Sequence, residues 1–348
     1  MSAAGGSAGC RETEMPHEVR HEPAIAVLLP CYNEELTIAE VVRRFRETLP
    51  SAEIYVYDNN SRDLTALKAR AAGAIVIREP RQGKGNVVRR MFADIDADIY
   101  LMADGDGTYA PEDASLLINI LQTERCDMVV GTRRGVTDDA GRSGHAFGNR
   151  IFNSLYKRLF GADFTDIFSG YRVFSRRFVK SFPAVSGGFE IETEMSVHAS
   201  QLKLPVSEIA LDYGRRPEGS SSKLSTYRDG ARILWMFAML MKETQPLRFF
   251  GAFAIFFLAS SLALMTPVLI EFAQTGLVPR MPTWVLSVGL LLLSMLAMVT
   301  GLILDSVSRG RAEQKRIFYL SVPSGRVERR ERTSETAKAE PGKTPRAA

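Results

Sequence analysis

Between residues 24 and 132 the chain alternates short apolar runs with stretches whose apolar positions recur at helical spacing. AIAVLLP (24–30) has the length of a buried strand, and EELTIAEVVRRF after it sets Leu36, Ile38, Val41, Val42 and Phe45 on a helical period. EIYVYD (53–58) predicts a second strand and LTALKARAAG a helix that ends at Gly73. AIVI (74–77) predicts a third strand, with a helix from about Gly85 to Ala93. DIYLMAD (98–104) predicts a fourth, with a helix from Pro111, and DMVVGT (127–132) a fifth. Strands alternating with helices imply an α/β domain with parallel pairing and right-handed crossovers.

The pattern changes later. FFGAFAIFFLASSLALMTPVLI (249–270) and WVLSVGLLLLSMLAMVTGLIL (284–304) carry no charge over 22 and 21 residues. At ~1.5 Å per residue each spans roughly 30 Å, the thickness of bilayer hydrocarbon. Their ends carry Lys242, Arg248, Arg309, Arg311, Lys315 and Arg316, whereas the connection has only Glu271 and Arg280. This bias places both flanks, and with them the large N-terminal domain and both termini, on the cytoplasmic side of a plasma (inner) membrane. STYRDGARILWMFAMLMKE (225–243) reads either as a helix along the membrane surface or as an ordinary packed helix. The expected organisation is a flexible tail (1–22), a catalytic domain (23–224), a juxtamembrane helix (225–247), two spans (248–306) and a basic, largely disordered tail (307–348).

Composition changes this picture little. The 348 residues are 45% hydrophobic and 24% charged, and a formal charge of +4 gives no reason to expect nucleic acid as a partner. Cys10, Cys31 and Cys126 are too far apart for a metal or redox motif, and the four histidines form no HExxH pattern.

The candidate chemistry lies at strand ends. Pro30-Cys31-Tyr32-Asn33-Glu34, Asp58-Asn59-Asn60 and Asp104-Gly105-Asp106 all follow strands, and ligands of α/β sheets bind beyond the carboxyl ends of their strands. Asp104 and Asp106 would repel one another unless a cation lies between them. Mg²⁺ takes oxygen ligands and commonly shares its shell with substrate phosphates. An ordinary turn uses the same residue types, so the position at a strand end is what favours a metal. GKG (83–85) opens a helix without the spacing of a Walker loop, leaving a weak anion site or a basic turn. RRPEGSSSKLSTYRDG (215–230) has cations and hydroxyls suited to a phosphate, or to anionic lipid. Arg150, Arg172, Arg176 and Arg177 sit in a basic, aromatic stretch that could meet an anionic head group, although any one of them also reads as an ordinary surface charge. In GGFEIETEM (187–195) helical spacing sets Glu190 and Glu194 on one face and points Glu192 elsewhere.

Taken together, LLPCYNEE (28–35), YDNNSRDLT (57–65), GKGN (83–86), DGDGTY (104–109), GTRR (131–134), DIFSGYR (166–172), GFEIETE and RPEGSSSKL (216–224) resemble family 2 glycosyltransferases, specifically the dolichyl- or polyprenyl-phosphate sugar synthases. The resemblance covers about residues 24 to 245. It implies a GT-A fold, a nucleotide-binding α/β sandwich with a D-x-D metal site for Mg²⁺ or Mn²⁺. It further implies that Pro30, Tyr32, Glu34 and Asp58 border the nucleotide base, and that Asp104 and Asp106 hold metal and diphosphate. Lys84, Arg216, Ser222 and Lys223 would bind the donor, and Arg133, Arg150 and Arg172 the acceptor phosphate. The usual Asp-Asp-Gly-Ser reads Asp58-Asn59-Asn60-Ser61 here, Thr108 replaces a common Gln, and no QxxRW sequence marks a processive polysaccharide synthase.

The expected activity is that of an inverting hexosyltransferase. It would move a sugar from a nucleotide diphosphate sugar (GDP-mannose or a UDP-hexose) to a dolichyl or undecaprenyl phosphate held in the lipid bilayer. Nothing in the sequence speaks against a homo-oligomer. The alternatives are a glycosyltransferase for another lipid or a glycan, and a non-catalytic membrane adaptor that keeps the nucleotide fold.

Overall fold

The computed structural model describes residues 23–134, 164–188, 190–214, 235 and 238–323. The expectations for the N-terminal tail, Arg150, Arg216, Ser222, Lys223 and most of the juxtamembrane helix lie outside them.

Strands β1 (Ile25–Cys31), β2 (Glu53–Asp58), β3 (Ile75–Arg78), β4 (Ile99–Met102) and β5 (Met128–Arg134) form where the apolar runs predict them. Helices α1 (Ile38–Thr48), α2 (Thr65–Ala71), α3 (Lys84–Asp94) and α4 (Ala114–Thr123) separate them. Helix α1 begins after Thr37, so Leu36 falls outside it and is exposed, while Ile38, Val41, Val42 and Phe45 form its buried face. Each such side chain taken from water contributes about 1.5–3 kcal/mol.

The sheet has seven strands in the order β3-β2-β1-β4-β6-β5-β7. Strands β1 to β5 share one direction, but β4 and β5 are not neighbours. Strand β6 (Arg172–Ser175) lies antiparallel between them, and β7 (Val206–Asp212) pairs parallel with β5 on the far side. The sheet is thus mostly parallel, as expected for the GT-A fold, and β6 is its antiparallel member. Helix α5 (Arg176–Ser181) follows β6 directly, and α6 (Ile191–Leu202) precedes β7.

Successive residues of each strand supply opposite faces. Leu28, Met102, Met128 and Phe174 pack on the side of α3, α5 and α6, whereas Val27, Leu29, Leu101 and Val129 pack on the side of α1 and α4. Coverage of both faces explains why the strands read as continuous apolar runs. The register aligns Cys31 with Asp58 and Asp58 with Arg78, and Ala103 N donates to Leu28 O (3.1 Å). The carboxyl ends of β1 to β4 thus open on one rim. Strand order reverses between β1 and β4, which makes the crevice between their ends the expected ligand position.

The two apolar segments are helices α7 (Pro246–Thr275) and α8 (Met281–Ser321), ~45 Å and ~62 Å long. Both are long and apolar enough to cross a membrane. Their large apolar side chains, Ile255, Phe256, Leu286 and Leu296 among them, face outward, which distinguishes them from core helices of a soluble protein. They pair through small residues. Ser261 donates to Ser287 O (2.7 Å), Ser294 donates to Ala254 O (2.8 Å), and Gly301 lies against Phe250. At the loop end Arg280 pairs with Glu271 (3.4 Å).

Helix α8 does not stop where the apolar run stops. Residues 305–321 continue it and dock on the α/β domain, so the expected disordered tail from 307 is corrected for this stretch. Arg316 donates to Leu202 O (2.7 Å), Lys315 to Gln201 (3.2 Å) and Tyr319 to Asp127 (2.8 Å).

Candidate active site

The loops after β1 and β2 are stitched together. Asn33 N donates to Ser61 Oγ (2.9 Å), Arg62 N to Asn33 Oδ1 (2.8 Å), and Glu34 N to Thr65 Oγ1 (2.8 Å). This sets Pro30, Tyr32 and Glu34 beside Asp58, whose Oδ1 accepts from Ser61 N (3.3 Å). The unusual Asn59 has a structural task. Its amide donates to Glu79 O (3.0 Å) and Arg81 O (2.7 Å), and its oxygen accepts from Gly83 N (2.7 Å). The end of β2 therefore fixes the start of α3.

That start is also gripped from the other side. Gly85 N donates to Gly188 O (3.0 Å), and a Cβ at Gly83 or Gly85 would collide with the 186–187 backbone. Glu194 in turn accepts from Val185 N (2.9 Å) and Ser186 N (2.8 Å). Two independent tethers thus converge on Lys84.

The Lys84 ammonium lies between Asp104 and Glu192, bonded to Asp104 Oδ1 and 2.5 Å from Glu192 Oε1. Burial works against its charge, but the two carboxylates outweigh it and hold the ammonium above its ordinary value. Asp106 is buried, and its Oδ1 accepts from Thr108 N (3.1 Å) and Thr108 Oγ1 (2.6 Å). Thr108 accordingly shapes the Asp106 carboxylate. Thr37 Oγ1 donates to Gly105 O (2.7 Å), which ties the D-x-D turn to the start of α1. Gly105 packs against Cys31 Sγ with no room for a Cβ.

The wall opposite comes from residues 166–171. Gly170 N donates to Tyr109 Oη (2.9 Å), and a Cβ at Gly170 would lie 2.8 Å from Asp104 Oδ2 and 3.1 Å from Lys84 Nζ. Gly214 N donates to Thr108 O (2.8 Å), and Tyr213 bridges Tyr109.

The arginines depart from expectation. Arg172 is fully buried on β6 and donates to Ser169 O (2.8 Å), Ile167 O (2.8 Å) and Ser196 Oγ (2.9 Å). It supports the 166–171 wall from behind and is not presented at the rim, which corrects its reading as an acceptor-phosphate ligand. Arg133 makes a two-pronged ion pair with Asp166, both distances 2.8 Å, and lies over the Tyr213 ring. Burial alone would raise Asp166, but Arg133 prevails and keeps it below the ordinary carboxylate range. Arg176 pairs with Asp96 (3.1 Å) and Arg177 donates to Val322 O (2.9 Å), so neither is a head-group ligand in this arrangement.

Glu192 is the site residue that helical periodicity missed. Spacing singled out Glu190 and Glu194, yet α6 is buried around most of its circumference. Its inward-facing polar members (Glu192, Thr193 and Ser196) do not stand out from a one-faced pattern. The available signal was the absence of further charge from Met195 to Leu202, unusual for a surface helix.

Among the described residues, no three Asp, Glu, His or Cys side chains converge as a closed metal cage. The donor set still suits a hard divalent cation that arrives with its diphosphate. Asp104 and Asp106, two residues apart in the D-x-D turn, would supply oxygens, Asp104 is partly exposed, and phosphate and water would complete the shell.

Residues 26–182 match the family model described as glycosyl transferase family 2. Glycosyltransferase AglJ of Haloferax volcanii is 36% identical over 302 residues, covering 85% of this chain and 98% of that protein. An undecaprenyl-phosphate mannosyltransferase of Micrococcus luteus is 25% identical over 222 residues, covering 57% of this chain and 86% of its own length. Among solved structures, glucosyl-3-phosphoglycerate synthase from Mycobacterium tuberculosis, in complex with Mn²⁺, uridine diphosphate and glucosyl-3-phosphoglycerate, superposes with a TM-score of 0.52 at 24% identity. It covers 63% of this chain and 79% of that one, a likeness of fold.

Proposed function

The chain belongs to glycosyltransferase family 2 and has the GT-A-like fold, and from that premise we propose that it transfers a hexose from a nucleotide diphosphate sugar to a polyprenyl phosphate at a membrane surface. The observation that carries this reading is the Asp104–Lys84–Glu192 cluster at the sheet's switch point, in a chain that continues into two outward-facing apolar helices. The Micrococcus luteus relative, named for an undecaprenyl-phosphate acceptor, supports the lipid part.

In this reading Pro30, Tyr32, Glu34 and Asp58 border the base, and Lys84, Arg216, Ser222 and Lys223 bind the donor diphosphate. Asp104 and Asp106 would hold Mg²⁺ or Mn²⁺, which when bound supplies positive charge to the leaving diphosphate. A phosphate monoester is mostly dianionic at neutral pH, so the acceptor needs no strong general base. Its oxygen attacks the anomeric carbon from the side opposite the diphosphate, and the configuration inverts. The chain's task is to align two anions that repel by about 4 kcal/mol at about 4 Å and an effective dielectric near 20. Arg172 is buried and Arg133 is paired with Asp166; of the three expected acceptor-phosphate arginines this leaves Arg150 as the candidate, and it lies outside the described residues.

Docking of α8 on the α/β domain supports a topology with both flanks of the helical hairpin on one side. Their basic bias supports the cytoplasmic side.

The test uses the full chain in lipid nanodiscs with a panel of nucleotide sugars, Mn²⁺ or Mg²⁺, and undecaprenyl phosphate. The expected product is a lipid whose sugar is released by mild acid, as a glycosyl phosphate should be. An acid-resistant glycosidic product would refute the phosphate acceptor, and lack of transfer from every donor would refute the activity.

A further inference from the structure

Lys84 has two carboxylate seats, and they are not equivalent. Asp104, with 29% of its side chain exposed, faces the crevice, whereas Glu192 is 5% exposed and lies beneath it. Glu192 Oε1 is taken by Lys84, while Glu192 Oε2 is fully buried and has no hydrogen-bond partner among the described residues. An uncompensated carboxylate oxygen in that position costs free energy. A second N–H from Lys84 would relieve the cost. The backbone around the lysine is held by Asn59 and Gly188, so the freedom left to it is that of a long side chain pivoting between two anions.

We propose that Glu192 is a positioning residue that withdraws Lys84 from Asp104 when a divalent cation enters. The inference rests on the reading of Asp104 as a metal ligand and adds the component that makes room for the metal. With the crevice empty, Lys84 shares its charge between the two acids and keeps Asp104 from being an unpaired anion. When a cation takes over Asp104, the ammonium settles on Glu192, whose second oxygen then gains a donor. From that seat Lys84 still borders the crevice and can meet a diphosphate oxygen. Without Glu192 the lysine has only Asp104, and it becomes a competitor that a metal must displace.

The experiment is a thermodynamic cycle on the full chain in detergent, reading Mn²⁺ binding by paramagnetic resonance without nucleotide, for wild type, E192Q, K84M and the double variant. E192Q is expected to bind Mn²⁺ about tenfold more weakly, within the usual range of site-to-site coupling. K84M should bind it more tightly than wild type, and K84M/E192Q should match K84M within error, because Glu192 acts only through the lysine. In the presence of Mn²⁺, K84M should also bind UDP or GDP more weakly. Unchanged affinity in E192Q, or equal loss from E192Q with and without Lys84, overturns the proposal. Should E192Q fail to fold, K84M alone decides, since an affinity that does not rise shows that Lys84 is no competitor. If wild type binds Mn²⁺ no better than D104N/D106N, the metal reading beneath the proposal is what has failed.

Discussion

The Tyr319 hydroxyl donates to Asp127 Oδ2 across 2.8 Å, joining the end of the second long helix to the residue that precedes β5. Asp127 Oδ1 accepts from Ser175 Oγ (2.6 Å), and the Arg177 guanidinium lies over the Tyr319 ring. One carboxylate thereby binds α8 to two strands of the sheet. Removing the hydroxyl in Tyr319→Phe keeps the ring contacts and should cost about 0.5–1.5 kcal/mol of docking free energy. Hydrogen exchange should accelerate in residues 313–321 and leave 284–304 unaffected. Unaltered exchange in the docked stretch would mean that the contact does not hold the helix.

Gly170 stands where the wall meets the acids. An added methyl would lie 2.8 Å from Asp104 Oδ2 and 3.1 Å from Lys84 Nζ, closer than such contacts normally come. Gly170→Ala should displace Asp104 and lower transfer at least tenfold, with melting shifted only slightly because both displaced groups are side-chain ends. Retained activity would show that Asp104 tolerates displacement and is not a tightly placed ligand.

Much of this arrangement was legible in the sequence. Buried parallel strands announce themselves as apolar runs, so β1 to β5 and the three loops on the rim follow from periodicity. Strand β6 does not, because its four residues begin with Arg172, which reads as a surface charge. Only the fold shows that this guanidinium satisfies two main-chain carbonyls inside the domain. Strand β7 is half-buried at an edge and lacks a long apolar run. Glu192 was hidden for a related reason. Periodicity assumes one wet face, and α6 has almost none. The docked part of α8 is charged and amphipathic, which by composition is indistinguishable from a solvated tail.

The burial of Arg172 changes what its mutation should do. Arg172→Met leaves the carbonyls of Ser169 and Ile167 without a donor, and each lost bond to a charged group costs about 1.5–3 kcal/mol. Melting temperature should fall, and whatever activity survives should be lowered for donor and acceptor alike, since the 166–171 wall loosens as a unit. A rise confined to the acceptor KM in a protein of unchanged stability would restore the phosphate-ligand reading.

His198 provides a pH dependence that the carboxylates of the rim do not cause. Its ring packs edge-on against Phe178 and Phe182, its Nδ1 has no hydrogen-bond partner among the described residues, and Ser181 Oγ is 3.4 Å from Nε2. Burial, and then the charge of Lys315 on the docked helix, push its pKa down to about 3. The unfolded chain takes up a proton near the ordinary value of about 6.5, and the folded chain refuses it until far lower pH. Between those values the unfolded state binds more protons, so this residue makes stability fall as the solution is acidified from about pH 6.5. The slope is at most about 1.4 kcal/mol per pH unit. Ordinary carboxylates titrate mainly below about pH 5, so the interval from about 6.5 to 5 separates histidine from carboxylate titration, and the His198 variant assigns the effect to this ring. His198→Leu, similar in volume and unable to take a proton, should leave stability at pH 7.5 nearly unchanged and flatten the melting temperature across that interval. If the variant loses stability with acid as steeply as wild type, another group is responsible and His198 is not held neutral by its surroundings.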